Sequence, residues 1–281
     1  NMGGAYARHL CEAGWPVVGY DISAAALGFL SSLGGKPVAT PREVGEASDV
    51  ILMALPSEVA VNGVVDGPNG LSSVAGSKAI LCEMGTFSVE FKTSVADRLA
   101  NSGITVIDCP VSGTGAQAAK RDIVVYASGD QIAVEAARPV FDALARETRY
   151  VGPFGDGMKL KLVANLLVSI HNLAAAEALL LAQKSGLDLA MVFDAISSGA
   201  GTSRMFEVRG PLMLDGAYKP ATMKHDIFIK DVDLILDQVK DVGSLAPLME
   251  VSKAQYLEAL AQGRGDEDTA SLFSSLQQQT E

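Results

Sequence analysis

A glycine-rich loop followed at once by an apolar helix pattern contains the strongest candidates for catalytic side chains. The loop holds Gly152, Gly155 and Gly157, and Lys161 and Asn165 follow it, four residues apart. That spacing places both side chains on one face of a helix, one turn apart. An ammonium and an amide aligned in this way could bind a substrate oxygen. The alternative is a capping loop followed by a helix whose lysine and asparagine are solvated.

The start of the chain matches half of a dinucleotide-binding fingerprint. Asn1, Met2 and Gly3 lead into a helix pattern, and a short predicted strand then ends at Asp21. In such a βαβ unit the last glycine of G-x-G-x-x-G opens the helix, and an acid about 20 residues further on binds the ribose. These four residues are therefore candidate cofactor contacts, with the opening strand and first two glycines expected before Asn1. The alternative is that Gly3 only permits close packing and Asp21 only ends a strand.

The identity of residue 21 bears on which nicotinamide cofactor is used. A carboxylate at the ribose repels a 2′-phosphate, and Ile22 and Ser23, which follow Asp21, supply no arginine to bind one. We therefore expect NAD to be preferred over NADP.

Strand and helix patterns alternate up to residue 157. This alternation predicts an α/β domain with a doubly wound, Rossmann-type, mostly parallel sheet, N-terminally truncated, over residues 1–157. Ligands bind such sheets at the carboxyl ends of the strands. Leu55 ends one strand pattern and Pro56 follows it, Thr86 follows another, and Ser112 lies in a small-residue loop after a third. Expected strands are residues 16–21, 49–55, 78–82, 104–107, 123–128 and 148–151. The helices expected between the later strands are residues 58–65, 89–101 and 131–144.

The pattern after residue 157 is helical throughout. Residues 158–281 are predicted to form an all-α domain for substrate binding and oligomerisation, so Lys161 stands where the second domain begins. Clefts between domains are favoured sites for small molecules. Expected helices are residues 158–185, 188–198, 204–214, 222–242, 245–262 and 268–278.

The composition and net charge of the chain argue against some classes of binding partner and indicate the cellular compartment. The 281 residues carry a net charge of −11, which argues against nonspecific binding to nucleic acid. Three cysteines without a C-x-x-C motif and three scattered histidines argue against disulfides and a metal site, and favour a reducing cytoplasm. The apolar segment 162–182 is interrupted by Asn165 and Glu177, so we expect a helix buried between domains or subunits rather than a membrane span.

Taken together, these motifs resemble the β-hydroxyacid dehydrogenase family over essentially the whole chain. The family signature G-x-x-G-x-G-x-x-x-K-x-x-x-N is matched from Gly152 to Asn165. The substrate-loop signature D-x-P-V-S-G-G resembles residues 108–114, and a K-D-L-like motif stands at Lys230–Asp231–Val232. The resemblance implies hydride transfer between a nicotinamide and a small β-hydroxyacid or its oxo form, by a homodimer or homotetramer assembled through the C-terminal helices.

The resemblance also implies roles for individual residues. Lys161 would be the general acid/base, and Asn165 would orient it or bind the substrate. A lysine pKa of about 10.4 is too high for a base at neutral pH, so burial or a nearby cation should lower it. Lys230 could be that cation, could contact the cofactor, or could be a solvated lysine.

The substrate carboxylate is expected on Ser112, Gly113 and Thr114, where small residues offer hydroxyl and backbone donors. The family usually has a second glycine where this chain has Thr114. Where many members have G-A-x-x-G-x-L, this chain has residues 117–123, with Gln117 and Arg121 in place of the two glycines. These departures concern the substrate rather than the reaction.

Two other functions are consistent with parts of the sequence. A chain without the pyrophosphate cradle could be a truncated, non-catalytic binding or assembly module of the same fold. Imine reduction on this scaffold is a third hypothesis, against which Lys161 counts.

Overall fold

The computed structural model describes residues 2–280, so the predicted cofactor contact at Asn1 lies outside the described residues. The chain divides into two compact units, Asn1–Lys161 and Leu162–Glu281. The division falls four residues after the expected boundary of 157, within the second turn of a long helix.

The first unit is built from short, mostly parallel strands. Strands β3, β4 and β5 pair in parallel, as do β1 with β2 and β7 with β8, while β6 runs antiparallel to β7. An antiparallel bridge between Asp108 and Ser128 joins the end of β5 to the end of β7. The strands are β1 Val18–Gly19, β2 Lys36–Pro37, β3 Val50–Met53, β4 Ile80–Glu83, β5 Thr105–Asp108, β6 Val111–Ser112, β7 Val124–Ala127 and β8 Glu147–Tyr150.

Helices alternate with these strands, and several begin at a side-chain cap. Ser23, Ser57 and Ser88 each accept a hydrogen bond from the backbone N–H three residues on, which satisfies one of the unpaired donors of a helix start. The helices are α1 Met2–Glu12, α2 Ala24–Ser32, α3 Pro41–Ala47, α4 Glu58–Asp66, α5 Val89–Ala100, α6 Gly115–Ala118 and α7 Gln131–Leu144, with a 3₁₀ helix at Leu71–Ser73.

Two apolar cores lie on opposite faces of the sheet. Cys82 and Ile107 belong to a core with α1 and α7, whereas their neighbours Leu81 and Val106 belong to a core with α4 and α5. Successive side chains of a strand point to opposite faces, so strands covered on both sides are apolar at nearly every position. The predicted doubly wound architecture is confirmed.

The structure differs from the predicted elements between and after the strands. The segment from Asp108 to Gly115, expected as a loop, contains β6 and the start of α6. A strand as short as Val111–Ser112 has no periodicity to detect, and its antiparallel pairing is set by contacts distant in sequence. β2 and α3 were also absent from the prediction, although Thr40 and Glu43 form a complete capping box at α3.

The second unit is helical. Within the described residues it contains no strand, only a bridge between Lys224 and Asp268. Asn172 donates to the Tyr256 hydroxyl and the Thr269 carbonyl, so these three residues are linked inside the bundle. The helices are the rest of α8 Asp156–Lys184, then α9 Leu189–Ser197, α10 Arg204–Asp215, α11 His225–Asp241, α12 Pro247–Ala261 and α13 Leu272–Gln279, with a 3₁₀ helix at Thr269–Ser271.

Helix α8 is the one described helix long and apolar enough to cross a membrane by length and composition. Asn165, Ser169 and Asn172 are nevertheless at most 5% exposed on it. Buried polar side chains of this kind are typical of a core helix in a folded bundle.

The glycines before α8 permit a close approach that no other residue allows. Gly155 has φ +93° with its missing Cβ position 2.6 Å from Val89 Cγ1. Gly157 lies within the first turn of α8, and a Cβ there would lie 2.5 Å from the Tyr126 carbonyl oxygen and 3.0 Å from Asp108 Oδ2 and Ser128 Oγ. Of the expected glycine loop, Gly157 therefore belongs to the helix and is required by packing.

We predict that Gly157→Ala destabilises the protein by about 2–3 kcal/mol, because the added methyl overlaps backbone and buried polar atoms. Urea unfolding measures the change. Gly63→Ala is the control: Gly63 lies within α4 with nothing within 4 Å of its Cβ position, so alanine there should stabilise by up to about 1 kcal/mol. Equal midpoints for the two variants would contradict the packing argument.

Candidate active site

A fully buried charged cluster connects the sheet to the start of α8. Lys92 Nζ lies 2.7 Å from Glu83 Oε2 and 2.7 Å from Asp108 Oδ1, and all three side chains are wholly buried. Asp108 Oδ2 accepts hydrogen bonds from the Met158 backbone N–H (2.8 Å) and the Ser128 hydroxyl (3.1 Å). Ser128 Oγ in turn accepts from the Gly157 N–H (2.9 Å). Two N–H groups of the first turn of α8 are thereby held by side chains of β5 and of the end of β7.

The charges in this cluster depend on one another. Burial alone lowers the pKa of Lys92, but the two carboxylates outweigh it and the pKa is raised, so the ammonium is retained. Removing one partner of a buried ion pair typically costs about 3–5 kcal/mol. Asp108 also places negative charge at the positive end of the α8 dipole, which is favourable.

Lys161 lies one helical turn after Gly157. Its residue is only 8% exposed, so it is not a solvated lysine. Residues four apart share a helix face, and Gly157 faces the ends of β5 and β7. The cluster therefore sets the position of the helix turn that precedes Lys161.

Asn165 is oriented by a buried acid of α11. Its Nδ2 donates to Asp231 Oδ2 at 3.0 Å, and both residues are at most 6% exposed. The amide nitrogen is thus directed to Asp231. The solvated alternative for Lys161 and Asn165 is wrong in both cases.

Lys230 is much more exposed to solvent than Asp231, the next residue of the same motif. Its side chain is 43% exposed and its Nζ lies 4.0 Å from Asp231 Oδ1. A cofactor contact at Lys230 stays a prediction.

The expected substrate loop is ordered by its own hydrogen bonds. Ser112 ends β6 and is half-buried, and Gly113 connects it to α6. Thr114 caps α6: its hydroxyl accepts from the Gln117 N–H (3.4 Å), while Gln117 Oε1 accepts from the Thr114 N–H (3.0 Å). Carboxylate binding by these three residues stays a prediction.

Gln117 and Arg121, two of the three departures from the family glycines, have structural consequences. Gln117 forms the capping box just described. Among residues 2–280, Arg121 is the only residue other than glycine that has a positive φ, 59°. Glycine adopts this left-handed conformation without steric cost. Arg121 Nε donates to His9 Nδ1 (3.3 Å), and His9 Nε2 donates to the Ala118 carbonyl (2.8 Å). Helix α1 is thereby tied to the segment after the substrate loop.

The described residues of the expected dinucleotide site offer the donors and acceptors that such a cofactor needs. Met2 and Gly3 form the first turn of α1, whose unpaired N–H groups suit a pyrophosphate. Asp21 is exposed after β1, and its Oδ1 accepts from the Ser23 N–H at 2.8 Å; its other oxygen can accept from ribose hydroxyls. The residues present therefore fit a dinucleotide.

Three further predicted contacts follow neighbouring parallel strands. Leu55 and Pro56 come after β3 and Thr86 after β4. Pro56 is exposed, whereas Leu55 and Thr86 are half-buried. Because β3 and β4 run parallel, these residues lie at one edge of the sheet, where such folds bind ligands.

Cys109 is not a nucleophile. It is fully buried, and burial, with a contribution from Cys82, raises the pKa of its thiol well above the usual value. A reactive cysteine needs the opposite shift and access. Among residues 2–280 no group of three or more His, Cys, Asp or Glu side chains could hold a metal ion.

The buried cluster was not expected from the sequence. A signal was present: on α5, Lys92, Val95 and Leu99 form the buried stripe, so Lys92 occupies an apolar position of the helix pattern. Glu83 and Asp108 each end a strand, and these strands are adjacent. A lysine on an apolar stripe opposite two strand-end acids indicates a buried ion cluster.

A doubly wound sheet with a dinucleotide-type edge, a buried lysine at the end of the same unit and an all-helical second unit are typical of a nicotinamide-dependent oxidoreductase. Comparison with known families agrees. A model of the NAD binding domain of 6-phosphogluconate dehydrogenase matches residues 1–152. One described as NAD-binding of NADP-dependent 3-hydroxyisobutyrate dehydrogenase matches residues 155–276.

Individual relatives give the same result. L-threonate dehydrogenase of Cupriavidus necator is 32% identical over 97% of this chain and 92% of its own length. The crystal structure of 3-hydroxyisobutyrate dehydrogenase from Salmonella typhimurium has a TM-score of 0.87 at 29% identity, covering 97% of this chain and 95% of that one. The Mycobacterium tuberculosis 3-hydroxyisobutyrate dehydrogenase, with L-serine, has a TM-score of 0.86 at 25% identity, covering 98% and 95%.

The chain belongs to the β-hydroxyacid dehydrogenase family. It is an NAD(P)-dependent oxidoreductase that acts on the CH–OH group of hydroxyacids, which supports the catalytic hypothesis over a non-catalytic module.

We predict that Arg121→Gly is more stable than Arg121→Ala by about 1 kcal/mol. Both variants lose the hydrogen bond to His9, but only alanine keeps a side chain in the left-handed conformation, which costs about 1–2 kcal/mol. Urea unfolding of the two proteins measures the difference. An alanine variant as stable as the glycine variant would contradict the strain at this position.

Proposed function

We propose that this protein transfers a hydride between NAD and a small β-hydroxyacid, with Lys161 as the general acid/base. The observation that carries the proposal is the burial of Lys161 one turn after Gly157, whose backbone is anchored to the ends of β5 and β7. The nicotinamide, when bound, accepts or supplies the hydride. Lys161 Nζ takes the hydroxyl proton during oxidation and returns a proton to the carbonyl oxygen during reduction.

The remaining residues orient and hold the substrate in this proposal. Asn165, whose amide nitrogen is held by Asp231, orients Lys161 or binds the substrate. Ser112, Gly113 and Thr114 bind the substrate carboxylate through hydroxyl and backbone donors. Lys230 contacts the cofactor or supplies positive charge near the reacting groups.

The substrate is to be sought among small polyhydroxy and β-hydroxy acids. The names of the relatives suggest L-threonate and 3-hydroxyisobutyrate. The direct experiment is a panel of 2- and 3-hydroxyacids assayed for NADH and NADPH formation. Absence of turnover with every hydroxyacid, in a protein shown to be folded, would refute the proposal.

The assembly is proposed to be a cytoplasmic homodimer or homotetramer formed through the C-terminal helices, without nucleic-acid or membrane partners. Val242, Leu245, Leu248 and Val251 are all more than half exposed around the α11–α12 connection. Exposed apolar groups of this kind mark interaction surfaces. A monomeric mass in sedimentation velocity would contradict this part of the proposal.

We predict that Lys161→Ala lowers kcat by at least about 10³-fold, since it removes the proton-transfer group. NAD affinity, measured by fluorescence titration, should change less than about twofold. Lys159→Ala is the matched control, because Lys159 lies on the same helix but pairs with Asp156 at the surface and should retain full activity. Comparable turnover in the Lys161 and Lys159 variants would remove Lys161 from the mechanism.

We predict that Asp21→Asn shifts the ratio of kcat/KM for NAD over NADP toward NADP by about tenfold. Asparagine can still accept from the Ser23 N–H, but it lacks the charge that repels a 2′-phosphate. Asp130→Asn is the control, because Asp130 is also an exposed aspartate that accepts from a nearby backbone N–H but lies at the start of α7. An Asp21 variant with the wild-type ratio, or a wild type that prefers NADP, would contradict the assignment.

A further inference from the structure

We propose that Ser128 and the buried Asp108 are positioning residues for Lys161, holding the first turn of α8 so that the lysine reaches the reacting oxygen. The inference rests on the proposed role of Lys161 and extends it to residues that touch neither substrate nor cofactor in that role.

A continuous series of contacts links the charged Lys92 side chain to the backbone at the start of α8. Lys92 holds Asp108 Oδ1, and Asp108 Oδ2 accepts from the Met158 N–H and the Ser128 hydroxyl. Ser128 Oγ then accepts from the Gly157 N–H. Two successive N–H groups at the helix start, which have no partner inside the helix, are thus fixed to the ends of two strands.

This arrangement is more specific than an ordinary helix cap. A typical cap is one side chain from the residue just before the helix, as Ser88 provides for α5. At α8 the cap residues come from 20 or more positions earlier in the chain, so they set where the helix starts relative to β5 and β7. Asp108 and Ser128 also bridge to each other through both backbone hydrogen bonds, which makes the acceptor pair rigid.

The position of the helix start determines the position of Lys161. Lys161 follows Gly157 by one turn, and a helix transmits a displacement of its first turn to the next. A displacement of about 1 Å at a catalytic group can cost about 10²-fold in rate. Ser128 contributes to this geometry without contributing charge, so its hydroxyl can be removed while the ion pairs of Lys92 with Glu83 and Asp108 remain.

The test compares two buried serines of the same unit in the full-length protein. Ser128→Ala removes the acceptor of Gly157. Ser102→Ala is the matched control: Ser102 is 2% exposed and its hydroxyl donates to the Ser72 carbonyl at 3.0 Å, far in sequence from α8. Both variants lose a buried hydroxyl, but Ser128→Ala also loses the hydrogen bond to the Asp108 carboxylate, so it should lose more stability than Ser102→Ala. Both variants are therefore compared only after circular dichroism shows that they are folded at the assay temperature.

We expect Ser128→Ala to lower kcat on the order of tenfold and to displace the apparent pKa of the kcat–pH profile. The KM for NAD should stay within about twofold of wild type. Ser102→Ala should keep the wild-type kcat and pH profile. Equal kcat values and profiles for the two folded variants would overturn the inference.

Two further variants separate the possible outcomes of this test. Ser128→Cys replaces the hydroxyl by a somewhat larger thiol that is a weaker acceptor, so it should lose an intermediate factor in kcat. If Ser128→Ala does not fold, a folded cysteine variant with wild-type kcat overturns the inference instead. Lys161→Ala separates the two proposals. Retained turnover in that variant defeats the proposed function, whereas loss there together with an unchanged Ser128→Ala defeats only the positioning role.

Discussion

The ion cluster of Lys92 with Glu83 and Asp108 is the interaction on which the rest of the first unit depends. It joins two neighbouring strands, the helix α5 and the first turn of α8, with no exposure to solvent. Burying three charges is expensive, and the cost is offset only when the hydrogen bonds are complete. Here each carboxylate also accepts from the backbone. The cluster therefore favours one arrangement of these elements over alternatives that would leave a charge without a partner.

Much of the architecture could be predicted because the relevant signals are local. Helix α7 matches the expected residues 131–144 at both ends, since Asp130 caps its start and its apolar positions recur at helical spacing. The apolar run around Val50–Met53 indicates a strand covered on both faces, and both faces are covered. The spacing of Lys161 and Asn165 correctly placed both residues on one helix, and the structure adds that both are buried.

The features that could not be predicted depend on contacts between residues distant in sequence. Strand β6 exists because Val111 and Ser112 meet β7, not because of any pattern within two residues. Asp231 has the same carboxylate as the exposed acids of α11, and only the fold reveals that Asn165 is its partner. Arg121 occupies a conformation that favours glycine, and its compensation comes from His9 on α1, more than 100 residues earlier. Local propensity contains no information about such pairs.

The close packing around Gly157 also affects how sequences that share this glycine spacing are compared. A side chain at this position would collide with the backbone and with Asp108 and Ser128. The glycine is therefore required by packing within the scaffold and not by contact with a substrate or cofactor. A variant in which another residue replaced Lys161 would need the same glycine for the same packing. The glycine spacing therefore identifies the scaffold, whereas in the proposed mechanism the chemistry depends on the residue one turn later, at position 161.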